Sequence, residues 1–262
     1  MFVEKIGQVI VKATQFLSPQ QVEVVKDGIC NDRAFALVEA DGRFIGSQQH
    51  SEFIPLRFTL NSDNSVLRLE LSDGQIVEGD VSHSKQPFSV NHAGLRSIEV
   101  AEVKGLWAKV LTEFAGRPIR LVKCLSVGGA IDVFPITFFT TGSLRRLERE
   151  VGAPVDPARL RAGFIISNEL AHEEDNWSGR HIRIGSVVLR IRTGVPRCQV
   201  VGFNPKKGQS DQEVMKALIK YREKVNLPDG LLPDYATPGF ATYAEVIQEG
   251  IVTVGDTVEL VS

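Results

Sequence analysis

The sequence has few cysteines, almost no net charge and no long apolar run. Cys30, Cys124 and Cys198 are the three cysteines in 262 residues, too few and too scattered for a disulfide framework. No CxxC pair is present, which excludes a zinc ribbon. Thirty basic and 32 acidic residues leave a net charge of −2, so binding to nucleic acid through bulk charge is excluded. The longest uncharged run, Val133 to Leu144, is twelve residues with a proline inside, too short for a helix that spans a bilayer. Met1 to Phe16 carries Glu4, Lys5 and Lys12 and no continuous apolar stretch. No signal peptide is expected, and the expected setting is the reducing cytoplasm with free thiols. None of the five histidines lies three or four residues from another, so no helix offers two imidazoles to a metal. GxSxG, GxGxxG and a phosphate loop ending in GK[ST] are all missing, which argues against α/β-hydrolase, nicotinamide-Rossmann and P-loop chemistry.

A globular mixture remains, 43% hydrophobic and 24% charged, enough for a substantial core. Up to about residue 95 the pattern is short strands and tight turns. Ala34–Val38 runs into Asp41-Gly42 and returns as Arg43–Ser47. Leu56–Leu60, the alternating Val66–Leu71 and Gln75–Val81 are joined by Asn61–Asn64 and Asp73-Gly74. Val103, Leu106, Trp107, Val110, Leu111 and Phe114 then recur at helical spacing, predicting a helix within 97–115 stopped by Gly116 and Pro118. A second helix is expected over Leu144–Val151, capped by Thr141 or Ser143 and ended by Gly152. A third is expected over Asp211–Lys224, with Ser210 and Glu213 as a capping box. Ile182–Ile184, Val187–Ile191, Gln199–Phe203, Ile251–Val254 and Val258–Val261 read as strands. The fold class is therefore mainly β with a few helices, with a composition shift near residues 90–120. His172–Asp175 and the proline-rich Leu227–Pro238 read as solvated loops, a border to the functional cleft being the alternative.

One constellation carries chemistry. Pro196-Arg197-Cys198 follows a strand, and a guanidinium beside a thiol favours the thiolate, which is both a nucleophile and a soft-metal ligand. The residues alone leave open whether Cys198 is that group or a small buried hydrophobe. Lys12, Arg33, Arg159, Arg161 and Arg197 lie near turns or element ends, where guanidinium forks suit a phosphate or carboxylate and plain surface charge is the alternative.

These residues carry a resemblance. Asn176-Trp177-Ser178-Gly179, Ile182–Gly185, Pro196-Arg197-Cys198, Asn204-Pro205 with Gly208, and Gly250–Asp256, in this order and spacing, resemble the MOSC domain of molybdenum cofactor sulfurases and amidoxime-reducing components. Asp27-Gly28-Ile29, Asp32–Phe35 and Asp41–Ile45 are similar to the β-barrel that precedes it. The resemblance implies an N-terminal MOSC-type β-barrel over 1–95, then a linking helix and MOSC domain over 96–262. It implies a molybdenum cofactor (Mo-molybdopterin) in a cleft between them, with Cys198 as catalytic metal ligand. Lys12, Arg33, Ser143, Arg161, Arg197 and Asn204 would hold the cofactor, Ser143 at a helix N-terminus suited to an anion. Four positions depart from the family pattern. Ala13 replaces a serine, Gln48 stands where the family has an arginine, Gly163 replaces an asparagine and Asn204 an aspartate, and losing several such contacts would weaken capture of the cofactor. The activity implied is reduction of N-hydroxylated small molecules with electrons from a separate reductase, ferredoxin or cytochrome, since the chain has no flavin, haem or iron–sulfur signature of its own. The alternatives are a sulfur carrier with a Cys198 persulfide and a non-catalytic cofactor-binding protein. No nucleic-acid or membrane partner is expected.

Overall fold

The computed structural model describes every residue except 93, 228–229, 232–234 and 262. Among the described residues the fold is mainly β, with eighteen strands and three helices. The largest sheet runs β1 (Val3–Ile6), β12 (Phe164–Ile166), β11 (Ile136–Thr140), β16 (Ala236–Gln248), β14 (Val187–Pro196), β13 (His181–Ile184) and β18 (Val258–Val261), with β15 (Lys224–Asn226) paired to β16. Its pairings are antiparallel apart from β11 with β12. A second sheet has the order β4 (Phe35–Glu39), β10 (Ile119–Cys124), β9 (Arg96–Glu102) and β8 (Phe88–His92). The third places β17 (Gly250–Thr253) beside β2 (Gln21–Val25) and β3 (Gly28–Ile29). The fourth is the meander β5 (Arg57–Leu60), β6 (Val66–Glu70) and β7 (Ile76–Asp80). In β6 the alternation buries Leu67 and Leu69 and leaves Arg68 and Glu70 half-exposed, and Gly74, at φ 87°, makes the tight return to β7.

The chain ends are stitched across the molecule. β1 pairs with β12, and β2 pairs with β17, so Val3, Ile6, Val22 and Val24 share one core with Phe138, Trp177 and Leu189. A second core gathers Phe53, Phe58, Leu67 and Trp107 under the meander. Residue 95 lies in the turn between β8 and β9, and β10 returns to pair with β4 and β9. No helix among the described residues is long and apolar enough to cross a membrane.

Several local expectations are corrected. Residues 96–102 form β9, because Ile98 and Val100 alternate with exposed Ser97 and Glu99; only α1 (Trp107–Ala115) is helical, ended by Gly116 at φ 65°. The N-cap of α2 (Thr141–Val151) is Thr140, whose hydroxyl accepts from the Ser143 N–H. The third helix, α3, is short (Val214–Tyr221). Its capping box does not form: Ser210 bridges to Phe203, and Glu213 pairs with Lys216 at 2.7 Å. Gln199–Gly202 is a 3-10 turn, because the Gly202 carbonyl accepts from the backbone N–H groups of Asp211 and Gln212. Arg43–Ser47 returns against β4 through a single bridge, Val38 to Phe44. His172–Asp175 is not a solvated loop, since Glu174 is 1% exposed. Much of Leu227–Pro238 lies outside the described residues.

Candidate functional site

Strain marks the site at the level of single residues. Ala13, Arg33 and Arg161 all adopt left-handed backbone, with φ of 71°, 53° and 49°. Each such non-glycine residue costs roughly 1–2 kcal/mol, and such strain clusters where a side chain must be aimed at a ligand. All three line one cavity of about 980 Å³ between the largest sheet and the β4 and β8 side of the molecule. Lys12, Arg197 and Cys198 line it too.

Each cation is held by its own segment. Lys12 follows a bridge from Val11 to Phe35, and its Nζ donates to the Ala130 carbonyl at 2.7 Å and to Asp132 at 2.5 Å. Burial lowers its pKa; Asp132 opposes that and Arg33 adds to it. Arg33 pairs with its neighbour Asp32, whose other oxygen accepts from the Val9 N–H at 2.8 Å. Arg161 ends the 3-10 turn Pro157–Leu160, donates to the Thr14 carbonyl at 3.1 Å and lies over Phe16, 5.6 Å from the ring centroid. Burial, then the Arg33 charge, pushes its pKa down to about 10. Arg197 donates to the Leu160 carbonyl at 2.7 Å, and burial lowers its pKa as well. Its Nε is buried without a partner among the described residues.

Desolvation would raise the Asp132 carboxyl, but Lys12 and His92 hold it well below its ordinary value. His92 is fully buried, and that burial lowers its pKa while Asp132 opposes the shift. Its Nε2 lies 3.1 Å from Asp132 Oδ1, and since a carboxylate only accepts, Nε2 donates. Phe44 stacks on the same imidazole at 4.8 Å. Five cations therefore line the cavity with three carboxylates, Arg43 pairing with Asp41, and Arg161 and Arg197 have no ion-pair partner among the described residues. Two uncompensated guanidinium groups beside a half-buried thiol suit an anionic ligand that also carries a soft atom.

A family model of the MOSC domain matches residues 128–259, and one of the MOSC N-terminal beta barrel domain matches residues 3–113. The chain belongs to the MOSC domain family. Molybdenum cofactor sulfurase of Danio rerio is 20% identical over 231 residues, covering 74% of this chain and 27% of that protein. Mitochondrial amidoxime-reducing component 1 of Xenopus laevis is 29% identical over 130 residues, covering 48% of this chain and 36% of that protein. Mitochondrial amidoxime reducing component 2 of Rattus norvegicus is 26% identical over 259 residues, covering 88% and 73%. The chain thus spans about a quarter to a third of the first two relatives.

In this MOSC-family chain both matched regions supply the cavity, Lys12 and Arg33 from the first, Arg161, Arg197 and Cys198 from the second. Ala13, Gln48 and Gly163, three of the positions where the resemblance leads one to expect other residues, line the same cavity. Ser143 and Asn204 do not. The Ser143 hydroxyl donates to buried Glu174 at 2.6 Å and accepts from the His172 N–H at 2.8 Å, so the α2 N-terminus is filled by the protein's own carboxylate. Asn204 donates to Asp211 at 2.7 Å and caps the backbone of Lys206 and Lys207. Asp132 and His92 escaped the sequence reading. They lie 40 residues apart and 80 or more from Lys12, with no spacing motif to join them.

Proposed function

We propose that the cavity binds a molybdenum–pterin cofactor and that the loaded protein reduces N-hydroxylated compounds with electrons from a separate redox protein. The observation that carries this reading is the convergence of Cys198 with Lys12, Arg33, Arg161 and Arg197 on one cavity. The residues fit such a group, because the orphaned Arg197 Nε and the two guanidinium groups without carboxylate partners offer donors to a phosphate. The relatives named for the molybdenum cofactor and for amidoxime reduction support the same assignment. When bound, the group supplies two-electron oxygen-atom chemistry. Cys198 would provide the protein's thiolate ligand, Arg161 and Arg197 the phosphate contacts, and Lys12, fixed by Asp132, a further positive charge. Phe44 and Phe134 shield part of the cavity from water. Over the whole reaction the N–O bond breaks, two electrons arrive from the partner, and two protons end on the amine and on water.

The test is molybdenum and pterin content of protein purified from a host that makes the cofactor. About one molybdenum per chain is expected, and none in a folded Cys198→Ala variant. Full retention by that variant overturns the ligand assignment, and stoichiometric cofactor without N-reductase turnover favours a storage or delivery protein. A sulfur-carrier reading is favoured by one feature: Ala13 and Gly163 offer no side-chain polar group to the cavity and Gln48 no charge, while Cys198 is half-buried at its wall. A sulfane-sulfur adduct on Cys198 after incubation with a cysteine desulfurase and cysteine, with no molybdenum in the sample, would establish it.

A further inference from the structure

Two short segments carry the groups that matter most. One is the 3-10 turn Pro157–Leu160 that ends at Arg161; the other runs from Arg197 through Cys198 to Gly202. Arg197, which begins the second segment, donates to the Leu160 carbonyl that closes the first, at 2.7 Å. Arg159, inside the first, donates to the Gly202 carbonyl that closes the second, at 3.0 Å. Each segment thus sends one arginine to the end of the other.

Arg159 is 5% exposed and is not among the residues that line the cavity. Its other amino group meets Asp211 at 2.6 Å, and the second oxygen of Asp211 accepts from Asn204 at 2.7 Å. The same Gly202 carbonyl accepts from the backbone N–H of Asp211 at 3.2 Å. A Cβ at Gly202 would lie 3.0 Å from the Gln212 carbonyl, so the loop closes tightly over this point. Left-handed backbone at Arg161 makes the turn by which Arg159 serves the neighbouring segment while Arg161 serves the cavity. Cys198 begins its 3-10 turn without a side-chain cap bond, so the place of its thiol is inherited from the backbone on either side.

We propose that Arg159 is a positioning residue which, through this reciprocal clasp with Arg197, fixes the Cys198 thiol against the Arg161 guanidinium. The inference rests on the proposed function only in taking Cys198 as the reactive group. It requires no bound cofactor, and its readout is the thiol itself.

The experiment compares alkylation of Cys198 by iodoacetate, an anion, and by neutral iodoacetamide, with each cysteine resolved by peptide mass spectrometry. In the natural chain the neighbouring guanidinium groups draw the anionic reagent, so the iodoacetate-to-iodoacetamide rate ratio at Cys198 exceeds that at Cys30. Asp211→Asn should lower the Cys198 ratio about threefold or more, and Arg159→Lys should lower it further. The Asp211 side chain is 40% exposed, so that variant stays folded even where Arg159→Lys does not. Leu67→Ala, a buried change in β6 within the separate core under the meander, serves as a control that lowers the melting temperature and leaves the ratio unchanged. An unchanged ratio in folded Asp211→Asn, or an equal fall in the control, overturns the proposal. Molybdenum content of the same samples tests the cofactor reading separately, and its absence leaves the clasp result standing.

Discussion

His172 sits between Tyr221 and Phe240, and burial, then the Arg222 and Arg146 charges, pushes its imidazole down to about 4. The unfolded chain takes up that proton near the ordinary value of about 6.5, whereas the folded chain refuses it until about pH 4. The unfolded state therefore binds more protons in that window, and stability falls as pH drops from 6.5 toward 4. Discounted for partial exposure, the loss is about 1–2 kcal/mol. Urea unfolding at pH 7, 5.5 and 4.5 should show this slope, and His172→Asn, which tolerates the left-handed backbone there, should flatten it; an unchanged slope would assign the effect to another group. Asp132 is shifted in the same direction, held down by Lys12 and His92, and acts at lower pH. Its depressed carboxyl stabilises the fold above the unfolded value, and that contribution disappears as pH falls through the folded one. At this scale the site was only partly legible. Arg33, Arg161, Arg197 and Cys198 stand at turns or beside a strand end and could be picked out by type. The carboxylate and imidazole that fix Lys12 come from distant segments and could not.

At the N-terminus of α2, three side chains and the His172 backbone N–H make one closed network. Glu174 accepts from the Thr140 N–H and hydroxyl and from Ser143, while Ser143 accepts from His172. Ser143→Ala strips partners from a buried carboxylate and a backbone N–H, a loss of about 2–3 kcal/mol that thermal or urea melts would read. Because Ser143 does not line the cavity, molybdenum content per folded chain should stay at the natural level; a fall in content without a fall in stability would place Ser143 at the cofactor after all. Elements with a local cause were legible, namely the hairpin turns at Asp41-Gly42 and Asp73-Gly74, the α2 stop at Gly152 and the closing strands β17 and β18. Misreadings arose where tertiary partners decide. Residues 97–102 were joined to a helical stripe that begins only at Trp107, and Gln199–Phe203 reads as a strand until Arg159 and Gln212 are seen drawing the Gly202 carbonyl into a turn.

Across the whole molecule, the two regions matched by separate family models are tied together by strand pairing, because the first strands of the chain are built into sheets with strands of the second region. Val3–Ile6 pairs with Phe164–Ile166 and Gln21–Val25 with Gly250–Thr253. Nothing local encodes such pairings, which is why the sequence suggested a cut near residue 95 while the hydrogen bonds cross-link both ends. The cavity needs residues from both regions, so its geometry depends on that cross-linking. The two tryptophans provide the test, since Trp107 lies in the core beneath the meander and Trp177 in the core of the largest sheet. Each single-tryptophan protein, Trp177→Phe or Trp107→Phe, should show a fluorescence transition in urea that coincides with its own circular-dichroism transition. Two separated transitions would mean that the cores unfold independently. Coincidence is expected because one short segment serves both cores, Ile6 packing in the core of the largest sheet and Ile10 and Val11 in the core beneath the meander. A ligand bound in the cavity should then raise both reporters' midpoints together.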